Sequence, residues 1–355
     1  MSSVENLPPL GPPRPVPAPH VETETLPNGL TVQIVPYAGV PLVSIRLVTR
    51  GGLSDDPASS PGLARLLAGS LREGTTTRTS ATLAELAQEA GGDLSAGAGP
   101  DSLSIGASGL AARVPLLLDL VADLAMRPAF PADGVARVKD LVREDLETSE
   151  SEPSYLAVRA FARALYGSHP YGTISPTEAS IDAVTPEILA VEAARRLRPE
   201  RSLLIVAGDV DPAAVHAEAA RLFGGWRGTG EAPPAVPAPV APTGPRRILV
   251  LDRPGSVQTN LLVGNLGFPR TDPDAYPLEL AMTIYGGSFT SRLVQNLREE
   301  KGYTYSPGAG ASWLAGCGTV RSYAAVRTVL RGAALNSILY DLVRMATTES
   351  MDEEL

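Results

Sequence analysis

GTGEAPPAVPAPVAPTGPR (228–246) is the stretch that decides how the chain is organised. Proline fixes φ and has no backbone N–H, so this run can enter neither a sheet ladder nor a helix interior. It reads as a semi-rigid polyproline II linker. On either side the sequence repeats one order of segments. Before the linker, residues 21–227 open with strand-like runs LTVQIVPY (30–37), preceded by the turn signal Asn28-Gly29, and LVSIRLVTRG (42–51). A helix is expected from Pro61, with Leu63, Leu66, Leu67 and Leu71 at helical spacing. SATLAELAQEAGG (80–92) reads as a second helix, from an N-cap serine to a glycine stop. Strands near DLSAGAG and SLSIGAS follow, then helices over about 112–126, 132–150 and 153–166, the strand RSLLIVAGDV (201–210) and a helix over 211–223. After the linker, residues 247–355 start the same way. RILVLDRPG (247–255) and QTNLLVGNLGF (258–268) read as strands, and 272–287 and 289–302 as helices. Strands around 303–325 and a helix over about 328–346 come next. The expected fold class is α+β: two homologous domains, each an antiparallel-rich sheet packed with helices. The second copy stops at SMDEEL, where the first still has helices and a strand to come, so it is expected to be incomplete. Residues 1–20 are proline-rich and are expected to be a disordered tail.

Composition narrows the function. With 30 Lys+Arg against 39 Asp+Glu the 355-residue chain carries a formal charge of −9, which argues against nucleic acid as a partner. One cysteine, Cys317, excludes a disulfide framework and a cysteine-based zinc site. The three histidines, His20, His169 and His216, are far apart in sequence and each reads as a solvated or locally bonded side chain. No basic leader with an apolar core is evident, and no run reaches the roughly 18 apolar residues of a membrane span. VPLLLDLVADLAM (114–126) carries Asp119 and Asp123 and reads as a packed amphipathic helix. The expected compartment is the cytoplasm, with the periplasm open if the start site lies elsewhere. SPGAGASWLAGCG (306–318) lacks the lysine–serine/threonine end of a phosphate loop, and no base is evident to make Cys317 a nucleophile. The arginine-rich Ala194-Arg195-Arg196-Leu197-Arg198 reads as a solvated helix face.

Several short motifs occur in an order that carries more information than any one alone. These are LPNGLTV (26–32), Gly62-Leu63-Ala64, Gly74-Thr75, Gly91-Gly92, His169-Pro170-Tyr171-Gly172, Gly208-Asp209 and Phe223-Gly224-Gly225-Trp226. Over about 23–355 the chain resembles the pitrilysin/insulinase family of zinc metallopeptidases. The resemblance implies two pitrilysin-like domains of the LuxS/processing-peptidase type. In active members the helix after Gly-Leu-Ala carries His-x-x-Glu-His, two histidines on one helix face for zinc with a glutamate as general base. Here those positions read Arg65-Leu66-Leu67-Ala68-Gly69, so Arg65, Ala68 and Gly69 are a degenerate zinc site. Glu144 or Asp145 falls near the family's third ligand, and one carboxylate does not hold catalytic zinc.

GGSFTSRLVQNLREEKGYTYSPG (286–308) resembles the family's substrate-holding element. The resemblance implies that Arg292 and Tyr305 bind substrate, with Tyr303 the weaker alternative. The plain alternative is a surface arginine paired with Glu299 or Glu300 and a half-buried tyrosine. Together these imply a non-catalytic, peptide-binding subunit. It would form a heterodimer with a zinc-bearing chain of the same family, hold unfolded peptide for it, and carry no metal or cofactor of its own. The other reading is a structural or assembly subunit that keeps the fold without peptidase work.

Overall fold

Strand alternation builds the first layer. In a computed structural model that describes residues 11, 15–243 and 245–347, six strands form one sheet in the order β1-β2-β6-β3-β5-β4. They are β1 (Glu22–Thr25), β2 (Thr31–Pro36), β3 (Leu42–Arg50), β4 (Asp93–Ala98), β5 (Ser102–Leu110) and β6 (Ser202–Gly208). Only β2 and β6 run parallel. Val43, Ile45 and Leu47 on β3 and Leu103, Ile105 and Ala107 on β5 all point to one buried face. The alternate positions on the other face carry Ser44, Arg46, Ser104 and Gly106, as in a sheet covered on one side. Most of the tail expected over 1–20, and the last residues of the second copy, lie outside the described residues.

The helices of this body are α1 (Leu63–Ser70), α2 (Ser80–Glu89), α3 (Val114–Met126), α4 (Ala132–Ser151), α5 (Pro153–Tyr166), α6 (Glu178–Asp182), α7 (Pro186–Arg196) and α8 (Pro212–Phe223). Helix α3 is buried along most of its length and packs on the sheet with α8. The N-cap of α2 is Thr79 rather than Ser80: Thr79 is extended and its side chain accepts from the Thr82 N–H. Asn28 does more than make a turn. Its Oδ1 accepts from Leu30 N at 3.2 Å, while Nδ2 donates to the carbonyls of Phe223 (2.8 Å) and Trp226 (3.1 Å). The Asn28–Gly29 turn thereby clamps the end of α8.

The second body repeats part of the first. Strands β7 (Gln258–Gly267), β8 (Gly308–Leu314) and β9 (Cys317–Arg327) form an antiparallel sheet in the order β7-β9-β8, the arrangement of β3-β5-β4. Its helices are α9 (Ala275–Met282), α10 (Arg292–Val294) and α11 (Arg331–Thr347). Helices α9 and α10 each widen at their C-terminal end into a π turn, Thr283–Gly287 and Gln295–Glu300. Residues 247–255 are not a strand, contrary to the sequence expectation. Ile248, Leu249, Val250 and Leu251 are exposed and form no ladder. In the first body, β2 reaches the sheet through β6, which bonds both β2 and β3. Among the described residues no strand stands in that place beside β7, so the apolar run has nothing to pair with.

Helix α5 packs on β7, and the Tyr166 hydroxyl lies 2.5 Å from Thr319 Oγ1. The linker is irregular but tied down. Arg201 donates to the Pro233 carbonyl (2.7 Å), Arg198 to that of Gly230 (2.8 Å), and His169 Nε2 lies 2.8 Å from that of Pro237. Among the described residues no helix is long and apolar enough to cross a membrane.

Asp123, fully buried on α3, fixes the loop after α1. Its carboxylate accepts from Thr75 Oγ1 (2.7 Å), Thr77 Oγ1 (2.8 Å), Arg78 (2.8 Å) and Arg127 (2.5 Å). Burial pushes its pKa up, but the bonds from Thr75, Arg127, Thr77 and Arg78 together outweigh that and hold it below the usual value. A carboxyl depressed by folding contributes stability above its unfolded pKa, about 3.9, and loses it as pH falls through the folded value. Asp123→Ala is therefore expected to cost about 1–3 kcal/mol in urea denaturation at pH 7, because Thr75 and Thr77 lose a buried acceptor while Arg78 keeps Asp119. The deficit should shrink as the same measurement is taken below about pH 4.

Candidate functional site

The site begins with how α1 is started. Gly62 has φ +87°, a left-handed conformation that suits glycine, and a Cβ there would sit 2.6 Å from Pro176. Asp56 lies at the head of the helix. Its two carboxylate oxygens accept from Gly62 N (2.9 Å) and Ala64 N (3.0 Å), satisfying amides at a helix N-terminus. Behind Asp56 stands Arg196, with 0% of its surface exposed. Its guanidinium donates to Asp56 (2.9 Å), Glu192 (2.8 Å) and the Gly52 carbonyl (2.8 Å). The solvated face expected over 194–198 is therefore wrong at its centre. Residue 196 lies one turn after Glu192 on the inward side of α7, where the carboxylate of Asp56 meets it.

Helix α1 forms one wall of an open cleft of about 590 Å³. Helix α4, the edge strand β4 and the loop around 168–176 form the others. Arg65, Ala68 and Gly69, the positions that the resemblance aligns with a zinc motif, all lie on it. Of Glu144 and Asp145, it is Asp145 that faces them: its Oδ2 lies 2.7 Å from Arg65 Nη2. The residues present do not fit a zinc ion. A guanidinium has no lone pair to give and alanine has no donor. At Gly69 even a Cβ would stand 2.8 Å from Val138 Cγ1 on α4. Among the described residues no group of three or more His, Cys, Asp or Glu is placed to share a metal.

Arg292 and Tyr305 lie elsewhere, in the second body, and neither lines the cleft. Arg292 is the first residue of α10 and is half-buried. Tyr305 is 78% exposed, and its ring lies over the Arg298 guanidinium, 4.6 Å from ring centre to Cζ. On Arg298 a second ring, Phe289, lies at 4.4 Å and is 72% exposed. Tyr303 packs against the second core. The stacked Arg298 was not foreseen. Nothing in the helical run distinguishes it, because the chain must reverse at Gly302 (φ +60°) to carry Tyr305 back over the helix.

The cysteine and two of the histidines do not line the cleft. Cys317 is buried, and burial pushes its thiol pKa up, away from a reactive thiolate. His169 Nδ1 accepts from Tyr171 N at 3.2 Å, and His216 Nδ1 lies 3.2 Å from the Glu24 carboxylate.

Known proteins are similar to this chain over most of its length. The family described as Insulinase (Peptidase family M16) matches residues 35–175, and Peptidase M16 inactive domain matches 184–355. An uncharacterized zinc protease of Mycobacterium leprae is 31% identical over 85% of this chain and 68% of its own length. The chain belongs to the insulinase family, peptidase family M16. It is a member that lacks the His-x-x-Glu-His motif. A similar protein from Rickettsia felis, also an uncharacterized zinc protease, is 27% identical over 93% of the chain and 78% of the relative. Among solved structures, a peptidase M16 inactive domain from Pseudomonas fluorescens superposes with TM-score 0.86 at 26% identity, covering 94% of this chain and 81% of that one. A Helicobacter pylori protease shares the fold at TM-score 0.86 and 19% identity, covering 95% of this chain and 82% of that one.

The Gly69–Val138 approach makes a testable prediction. Alanine in place of a helical glycine ordinarily gains about 1 kcal/mol. Here the added methyl meets a stiff β-branched side chain, an overpacking that costs about 1–3 kcal/mol. Gly69→Ala should lower the denaturation midpoint, and in a Val138→Ala background the same change should raise it.

Proposed function

We propose that this chain is a peptide-holding, non-catalytic subunit that works with a zinc-bearing chain of the same family. The observation that carries the reading is the cleft. It remains open beside an edge strand, while Arg65, Ala68 and Gly69 on its wall can neither hold zinc nor activate a zinc-bound water, and Asp145 alone is too few ligands. An edge strand offers unpaired backbone groups to an extended peptide, and Ala96, Gly97 and Ala98 leave the backbone of β4 accessible there. Residues of the second body serve the partner's site in this reading. Arg292 holds a peptide carbonyl through its guanidinium. Tyr305 donates its hydroxyl to a carbonyl oxygen where negative charge develops during attack. The exposure of Tyr305 and its support by Arg298 favour that role over a buried core tyrosine. Zinc, in this reading, belongs to the partner chain.

The test is reconstitution with the zinc-bearing chain and cleavage of a quenched unfolded peptide. Arg292→Ala should lower kcat/KM at least about tenfold, a loss of about 1.4 kcal/mol of transition-state stabilisation, and Tyr305→Phe should do the same through kcat. Assembly, followed by size-exclusion chromatography, should be unchanged in both. Normal cleavage by correctly assembled variants would overturn the reading and leave a scaffold subunit.

A further inference from the structure

We propose that the cleft selects acidic peptide segments, taking a carboxylate between Arg65 and Arg72. This deepens the reading above and rests on it, since it assumes that the cleft takes peptide. The two arginines lie about two helical turns apart, on α1 and the turn Leu71–Glu73 that continues it, and so share one face. Both line the same cleft.

The charges around them are unequal. Each carboxylate that lines the cleft already faces an arginine: Asp56 faces Arg196 at 2.9 Å, Glu73 faces Arg137 at 2.8 Å, and Asp145 faces Arg65 at 2.7 Å. Arg72 differs. Its Nη1 donates to the Leu94 carbonyl at 3.2 Å, and among the described residues no carboxylate pairs with it. A neutral acceptor fixes the direction of that guanidinium without cancelling its charge. Arg65 is also available. Its bond to Asp145 joins two side chains that are 44% and 63% exposed, a weak and exchangeable pair. A guanidinium has five N–H donors, so Arg65 can keep Asp145 and still donate to a second carboxylate.

The ligand chemistry is therefore a peptide carboxylate, from an Asp or Glu side chain or from a C-terminus. In this proposal Arg65, which aligns with a metal-binding histidine of active family members, is an anion contact. The chain as a whole is acidic at −9, which repels acidic ligands at long range. Selection must then be local, and it should weaken as salt screens the arginines.

The experiment uses fluorescence anisotropy on the full chain with labelled unfolded peptides of equal length. One pair differs by Glu against Gln at a single central position, both amidated; a second pair differs by a free against an amidated C-terminus. The amidated Glu peptide is expected to bind about tenfold tighter than its Gln twin if the side chain is the source. The free C-terminus carries that advantage instead if the terminal carboxylate is the source. The advantage should disappear in Arg72→Gln and in Arg65→Ala, and persist in part in Arg72→Lys, with unchanged thermal melts showing that each variant folds. Equal binding of acidic and neutral peptides would overturn the proposal and leave the peptide-holding reading standing. A preference that survives in either Arg72→Gln or Arg65→Ala also overturns it. No binding of any peptide would overturn the peptide-holding reading, and this proposal with it.

Discussion

A fully buried arginine holds the cleft in shape. Arg196 has no access to water, so its charge must be matched inside the protein, and Asp56, Glu192 and the Gly52 carbonyl match it. Asp56 uses its other lone pairs on the Gly62 and Ala64 amides at the head of α1. One charge network therefore joins the end of α7 to the start of α1. Helix α1 carries Arg65, Ala68 and Gly69, and Arg72 follows in its last turn. Removing Arg196 leaves the buried Asp56 without its guanidinium, a loss of the order of 3–5 kcal/mol, whereas Arg196 without Asp56 keeps Glu192. The orientation of the whole cleft wall depends on that pair.

The wall is therefore held independently of the side chains that face the cleft. Nothing in the Arg196–Asp56 network involves the zinc positions. At Gly69 the wall packs closely on Val138 of α4. On its cleft side Arg65 pairs with Asp145. The duplicated design shows in the second body as well. Helices α9 and α10 lie between β7 and β8, as α1 and α2 lie between β3 and β4.

What the sequence made legible was what local pattern encodes. The alternation of Val43, Ile45 and Leu47 and the helical spacing of Leu63, Leu66 and Leu67 gave elements in the right places. Residues 247–255 failed because a strand needs a neighbour, and an apolar run alone does not report whether one exists. β1 was not expected because Glu-Thr-Glu-Thr is polar; it forms as an edge strand whose pairing is set by the Asn28–Gly29 turn. Arg196 was misread because a count of charges cannot tell an inward from an outward helix position. Its deciding partner, Asp56, is 140 residues away in sequence. The degenerate positions were legible only through the family resemblance. Arg72 was not legible at all, since its role depends on which neighbouring carboxylates are already engaged.

The account stands or falls on a cleft that binds peptide and does not cut it. The direct measurement is to saturate the purified chain alone with zinc and a labelled unfolded peptide, follow anisotropy, and then determine the peptide's mass. The account predicts saturable binding with the peptide recovered intact, whether zinc or a chelator is present. Cleavage by this chain alone that requires zinc and stops with a chelator would contradict it.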